Sequence, residues 1–153
     1  MSWIKVLVAG SDPKKRAALV DILMESGLEP MVASDLDEVR DILARKQLHI
    51  IFCEHNLPGG GFQEILRIAR RMRSLVEVVV SSMMGELDEY LDAMRLGAFD
   101  FVAPPYRGAD IISIVDNACQ HYLFRRKNSE AMFYVPQEAG VVTSGSKPIA
   151  FFD

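Results

Sequence analysis

Short apolar runs alternate with longer segments of helical period along most of the chain. Ile4-Lys5-Val6-Leu7-Val8-Ala9 reads as a strand, and Asp12 followed by Pro13 reads as an N-cap and first helical position. Leu19, Ile22 and Leu23 give the helix that follows an apolar face, and Gly27 suits its stop. Residues 29–33 read as a second strand, and Ser34 or Asp35 caps a helix with the stripe Leu36, Val39 and Leu43. Residues 48–53 form a flat apolar third strand, and Leu57-Pro58-Gly59-Gly60-Gly61 forms a loop. Phe62, Ile65, Leu66 and Ala69 stand at i, i+3, i+4 and i+7 of a third helix. Residues 76–81 are a valine-rich fourth strand. Leu87, Tyr90, Leu91 and Met94 make the apolar stripe of a fourth helix, which Gly97 ends. Residues 99–103 read as a fifth strand, and Ile111, Ile114, Val115, Ala118 and Tyr122 define a long last helix.

Strands of near-continuous apolar character are buried on both faces. Five of them alternating with helices predict an α/β fold, a doubly wound parallel sheet with helices on both sides. Right-handed crossovers leave few topologies, and the flavodoxin-like order 2-1-3-4-5 with five helices is the natural one. Ligands in such sheets bind outside the carboxyl ends of the strands. The ends of interest are therefore Gly10 to Asp12, Cys53 to Asn56, Ser81-Ser82 and Ala103-Pro104.

Residues 1–126 are expected to form one domain and residues 127–153 a tail or linker, because the pattern lapses from about Lys127. The tail still carries Met132, Phe133, Tyr134, Val135, Ile149, Phe151 and Phe152, too apolar for a plain solvated linker. Packing on its own domain is the expectation; docking on a partner and continuation into something longer stay open.

Charge and chemistry narrow the classes. The formal net charge of the 153 residues is -4, which argues against a broad footprint for nucleic acid or anionic lipid. Arg125-Arg126-Lys127 reads as the solvated end of a helix. Arg67, Arg70, Arg71 and Arg73 read the same way, with docking of an acidic partner as the alternative. Cys53 and Cys119 lack metal or redox spacing, and Cys53 reads as a small core residue. His49, His55 and His121 are scattered and read as surface or satisfied histidines. The glycine run lacks a phosphate-binding context, and no serine has a partnered base. The N-terminus lacks the long apolar stretch of a leader, and no segment is long enough to span a membrane, so the expected compartment is the cytoplasm.

Three segments resemble the receiver domain of two-component response regulators, and the resemblance covers roughly residues 4 to 125. Residues Val6 to Arg16 are similar to that family's first strand and turn. Glu54-His55-Asn56-Leu57-Pro58-Gly59 is similar to its phospho-acceptor strand end and loop. Leu96 to Val102 with Pro105-Tyr106 is similar to its fifth strand and proline turn. The resemblance implies phosphoryl transfer from a phosphohistidine to an aspartate, with an acidic pair holding Mg²⁺ and a lysine pairing the phosphoryl oxygens. A serine or threonine and an aromatic relay the change.

Carried over position by position, the catalytic groups are replaced. The acidic pair falls on Gly10 and Ser11, the acceptor on Glu54 and the lysine on Pro104; the relay positions survive as Ser81 and Phe101. Asp12, Glu54 and Asn56 are the remaining weak metal candidates, although Asp12 reads as a cap first. The expectation is an atypical receiver that is not an enzyme, has no cofactor, binds Mg²⁺ weakly or not at all and retains no phosphate. It would act by contact with a signalling protein, a histidine kinase or an output protein, or with a second copy of itself. Direct contact with nucleic acid or membrane is not expected. Met83, Met84, Tyr90 and Tyr106 are the candidate contact residues. Two alternatives stay open: a residual phospho-acceptor using Glu54 or Ser81, and a regulatory piece of a longer protein with a separate output domain.

Overall fold

A computed structural model describes residues 3–132. Its elements run β1 (Val6–Ala9), α1 (Pro13–Glu25), β2 (Met31–Ala33), α2 (Leu36–Arg45), β3 (Ile50–Glu54), α3 (Phe62–Arg71), β4 (Glu77–Ser81), α4 (Leu87–Leu96), β5 (Asp100–Val102) and α5 (Gly108–Met132). The five strands form one parallel sheet in the order β2-β1-β3-β4-β5, as the apolar runs predict.

The period of two along each central strand divides the core between the two faces. Val6 and Val8, Ile50 and Phe52, and Val79 pack with Leu19 and Leu23 of α1 and Ile111, Val115 and Ala118 of α5. Leu7 and Ala9, Ile51 and Cys53, and Val78 and Val80 pack with Leu36, Val39 and Leu43 of α2 and Phe62 and Ile65 of α3. Burying each of the larger of these side chains, the valines, leucines, isoleucines and phenylalanines, contributes roughly 1.5–3 kcal/mol. The edge strands β2 and β5 are less covered, and Val32 faces solvent.

The caps follow the local sequence. Asp12 accepts from the Lys14 N–H at 2.9 Å, and Asp35, rather than Ser34, accepts from the Glu38 N–H at 2.9 Å. Glu38 in turn accepts from the Ser34 N–H. Gly97 closes α4 at φ 107°, in the left-handed region that glycine adopts without strain. Arg73 closes α3 at φ 56°. There the Ser74 N–H donates to the Ala69 carbonyl and the Arg73 N–H to the Arg70 carbonyl, a Schellman arrangement whose left-handed residue is usually glycine. An L-residue in this conformation costs roughly 1–2 kcal/mol.

Three expectations need correction. The apolar stripe of α4 lies largely outside: Leu87 is 68% exposed and Leu91 52%, and only Ala93 of that helix is buried. A small residue lets the helix approach the sheet closely, so the larger apolar side chains flank the contact rather than fill it. The helix α5 runs on to Met132, past the point where the apolar pattern lapses, because residues 124–132 hold neither proline nor glycine to stop it. Arg125 is not a solvated helix end: it turns inward to Glu77, the buried first residue of β4, at 3.2 Å, alongside His121. Of the apolar tail residues named above, those from Phe133 onward lie outside the described residues.

Candidate functional site

The crevice at the carboxyl ends of the strands is a cavity of about 260 Å³, reached by β1, β3, β4 and the segments that follow β3, β4 and β5. Glu54, the last residue of β3, and Ser81, the last of β4, are register partners and meet at its floor. Asn56, Ser82, Met83, Met84 and Tyr106 also line it, and α1 contributes Lys15 and Arg16.

Glu54 folds back over the turn after β1. Its Oε1 accepts from the Ser11 N–H at a long 3.4 Å. Gly10 makes this possible: a Cβ there would stand 2.8 Å from Glu54 Oε2 and 3.1 Å from Arg16 Cγ. Arg16 is fixed beside them, donating to the Gly10 carbonyl at 2.6 Å and to the Ser34 hydroxyl at 3.0 Å. The volume that a side chain at position 10 would occupy is thus filled by the extra length of Glu54.

Ser81 is buried, and Tyr106 reaches over it. Burial pushes the Tyr106 phenol up; a side-chain hydrogen bond with Ser81 pulls the other way, and the Glu54 charge adds to the rise. Tyr106 therefore belongs to the crevice, whereas Met83 and Met84 are also exposed beside it and Tyr90 stands on the outer face of α4. The Tyr90 ring meets Phe101, partly buried on β5, edge-on at 5.7 Å. Pro104 follows β5 and does not line the cavity. Ser82 and Glu89 are hydrogen-bonded across the start of α4. Cys53 lies fully buried beneath the crevice, and burial, then the Glu54 charge, pushes its thiol far up, as suits an inert core residue.

The residues present do not fit the Mg²⁺ that the resemblance implies. Asp12 is used as the α1 cap and does not line the cavity; Glu54 and Asn56 do line it. Among the described residues no group of three His, Cys, Asp or Glu side chains is placed to hold a metal. One carboxylate tied to a backbone amide, next to a fixed guanidinium, is a poor octahedral oxygen site.

A match to the model of the response regulator receiver domain covers residues 6–116. The chain belongs to that family. This receiver is 25% identical over 130 residues to a putative NtrX-like response regulator of Rickettsia bellii, covering 84% of this chain and 27% of that one. It is 27% identical over 126 residues to the response regulator protein FleR of Pseudomonas aeruginosa, covering 82% and 26%. The receiver therefore spans about a quarter of the length of the curated relatives it matches. Among solved structures it is similar in fold to NtrX from Brucella abortus in complex with ADP, with TM-score 0.76, 23% identity and coverage of 89% of this chain and 31% of that one. It is also similar to the beryllofluoride-activated NtrC4 receiver domain dimer, with TM-score 0.70, 22% identity and coverage of 77% and 98%.

The sequence reading missed the two cations of the receiver's crevice. Their signal is visible in retrospect: Lys14, Lys15 and Arg16 occupy the first turns of α1, which carry no acid, although a helix N-terminus disfavours positive charge. Arg16 stands against that dipole because it serves the turn at Gly10. The histidines also divide. His49 is satisfied, its Nδ1 accepting from the Lys5 N–H at 2.9 Å, and His121 is paired with Glu77. His55 is not satisfied: both ring nitrogens are buried without a hydrogen-bond partner. It packs against the Phe62 ring at 5.3 Å, and Asp92 stands at 3.8 Å, beyond hydrogen-bond reach. Among the described residues no helix is long and apolar enough to cross a membrane.

Proposed function

We propose that this chain is an atypical receiver which works in two-component signalling by protein contact, without accepting phosphate. One observation carries the reading: the Glu54 carboxylate is seated on the Gly10-Ser11 turn, in space that a side chain at position 10 would need. A carboxylate held there is not presented to a donor, and phosphoryl transfer depends almost entirely on positioning and electrostatics. Pro104 supplies no cation from the β5 side, and the cation on the α1 side, Arg16, is spent on the Gly10 carbonyl and the Ser34 hydroxyl. The domain has no enzymatic activity of its own in this reading.

The surface offered to a partner is the exposed apolar set at α4: Met83, Met84, Leu87, Tyr90 and Leu91. Flexible thioethers and an aromatic anchor suit an adaptable contact. A histidine kinase, an output protein or a second copy are the partner classes; the beryllofluoride-activated NtrC4 receiver domain is a dimer. Because the chain spans about a quarter of its curated relatives, service as the regulatory part of a longer regulator fits the same reading.

Treatment with acetyl phosphate and Mg²⁺, followed by intact-mass measurement, tests it. The expected mass is unchanged for the wild type. A retained phosphate on Glu54 or Ser81 would establish the residual phospho-acceptor instead.

A further inference from the structure

At the amino-terminal end of the sheet, opposite the crevice, lies a second cleft of about 420 Å³. It is lined by the end of α2, the segment after α3, and Tyr122 and Arg126 of α5. Its polar rim is Arg45, Lys46, Gln47, Arg73, Ser74 and Arg126, and among the described residues no acidic side chain lines it. Four cations converge on one concavity in a chain whose net charge is -4.

Helix dipoles explain part of this. Basic residues in a last turn meet the partial negative charge of the helix end, which accounts for Arg45 and, outside the cleft, for Arg70 and Arg71. Arg73 needs another reason. It holds the left-handed C-terminal position of α3 at φ 56°, where glycine would relieve the strain and where the dipole is already answered by Arg70 and Arg71. Strain retained by a residue whose side chain rims a cavity points from the backbone to a function for that side chain.

The remaining groups are donors. The Tyr122 hydroxyl, buried at the cleft's inner wall, accepts from Gln47 Nε2 at 2.7 Å, which leaves its own proton for an acceptor. Ser74 adds a hydroxyl, which already accepts from the Val76 N–H at 3.2 Å and keeps its proton to donate. Guanidinium forks match phosphate oxygens in pairs, and an ammonium adds a point charge. The volume is that of a small-molecule site. We infer that this cleft binds a small multivalent phosphate of the diphosphate or triphosphate class. Such a site gives the domain an input that does not pass through the crevice, and it stands whether or not Glu54 accepts phosphate.

The test is titration of the ¹⁵N-labelled full chain with inorganic pyrophosphate against a salt-matched sodium chloride control, with Arg73→Gly in parallel. The expected result is saturable shifts of the Lys46, Gln47, Arg73 and Ser74 amides. Arg73→Gly should weaken binding by about tenfold or more, the loss expected of one charge-assisted contact, while its Tm rises as the strain is relieved. A raised Tm also shows that lost binding is not lost folding. Absence of saturable shifts overturns the proposal, as do shifts confined to the crevice residues Ser11 and Asn56. Wild-type affinity in Arg73→Gly, or a lowered Tm, overturns the role given to Arg73 and with it the proposal. Duplex DNA or a polyglutamate peptide saturating these amides where pyrophosphate does not would assign the cleft to a macromolecule and refute the small anion.

Discussion

If Glu54 fills the space vacated at position 10, then Gly10→Ala and Glu54→Ala must be coupled. Gly10 is not among the positive-φ glycines, so an alanine fits its backbone. The new Cβ would meet Glu54 Oε2 at 2.8 Å and drive the carboxylate off the Ser11 amide. That hydrogen bond is long and partly solvated, so its loss costs about 1 kcal/mol at most. Replacing glycine with alanine restricts the unfolded chain and returns about 0.4–1 kcal/mol. Gly10→Ala alone should therefore lie near zero, apart from whatever the Arg16 contact adds. Glu54→Ala alone should lose about 1 kcal/mol. In the Glu54→Ala background the carboxylate is gone, and Gly10→Ala should be more favourable than in the wild type by about 1 kcal/mol. The Arg16 contact at 3.1 Å is common to both backgrounds and cancels. The cycle thus predicts a coupling of about 1 kcal/mol, measured from urea unfolding of the four proteins by far-UV circular dichroism. Additivity within about 0.3 kcal/mol would mean that Glu54 is not seated in the turn, and the phosphorylation-independent reading would lose its support.

Two further predictions concern the opposite end of the sheet. Burial, then the charges of Arg126 and Lys5, lowers the His49 pKa, and its Nδ1 must stay unprotonated to accept from the Lys5 N–H. The unfolded chain then binds more protons below about pH 6.5, so this contribution is full above that pH and is lost as pH falls toward the folded pKa. Tm measured from about pH 8 to 5 should fall on acidification, and His49→Gln should flatten that fall; an unchanged slope would refute the assignment. Glu77 is buried between His121 and Arg125, so Glu77→Ala should cost about 1–3 kcal/mol by thermal unfolding, less than a fully buried pair because both partners can turn to water. Glu77→Gln, which keeps an acceptor, should cost less than Glu77→Ala.

Much of this protein was legible without coordinates because local physics writes it into short stretches. The continuous apolar runs Val6 to Ala9 and Ile50 to Cys53, the spacing of Phe62, Ile65 and Ala69, and the Asp12-Pro13 cap each depend on neighbours within a turn or a strand. Those periods limit the sheet to a few topologies, and the receiver motifs select one of them. The fourth helix was misread because Leu87, Tyr90 and Leu91 obey the helical period while the small Ala93 makes the buried contact, and period alone does not say which face meets the sheet. The occupancy of the crevice was beyond reach for a related reason. Glu54 meets Gly10 and Ser11 across 43 to 44 residues of chain, and Arg16 reaches the Gly10 carbonyl and Ser34 from a helix whose first turn reads as solvated. The basic cleft likewise joins Lys46, Arg73 and Arg126, which no period relates. Sequence pattern determines the elements and, for the strands and most of the helices, the face that meets the core, because burial repeats with the element. Only the packed structure decides which polar side chains share a site, because that depends on how the ends of different elements converge.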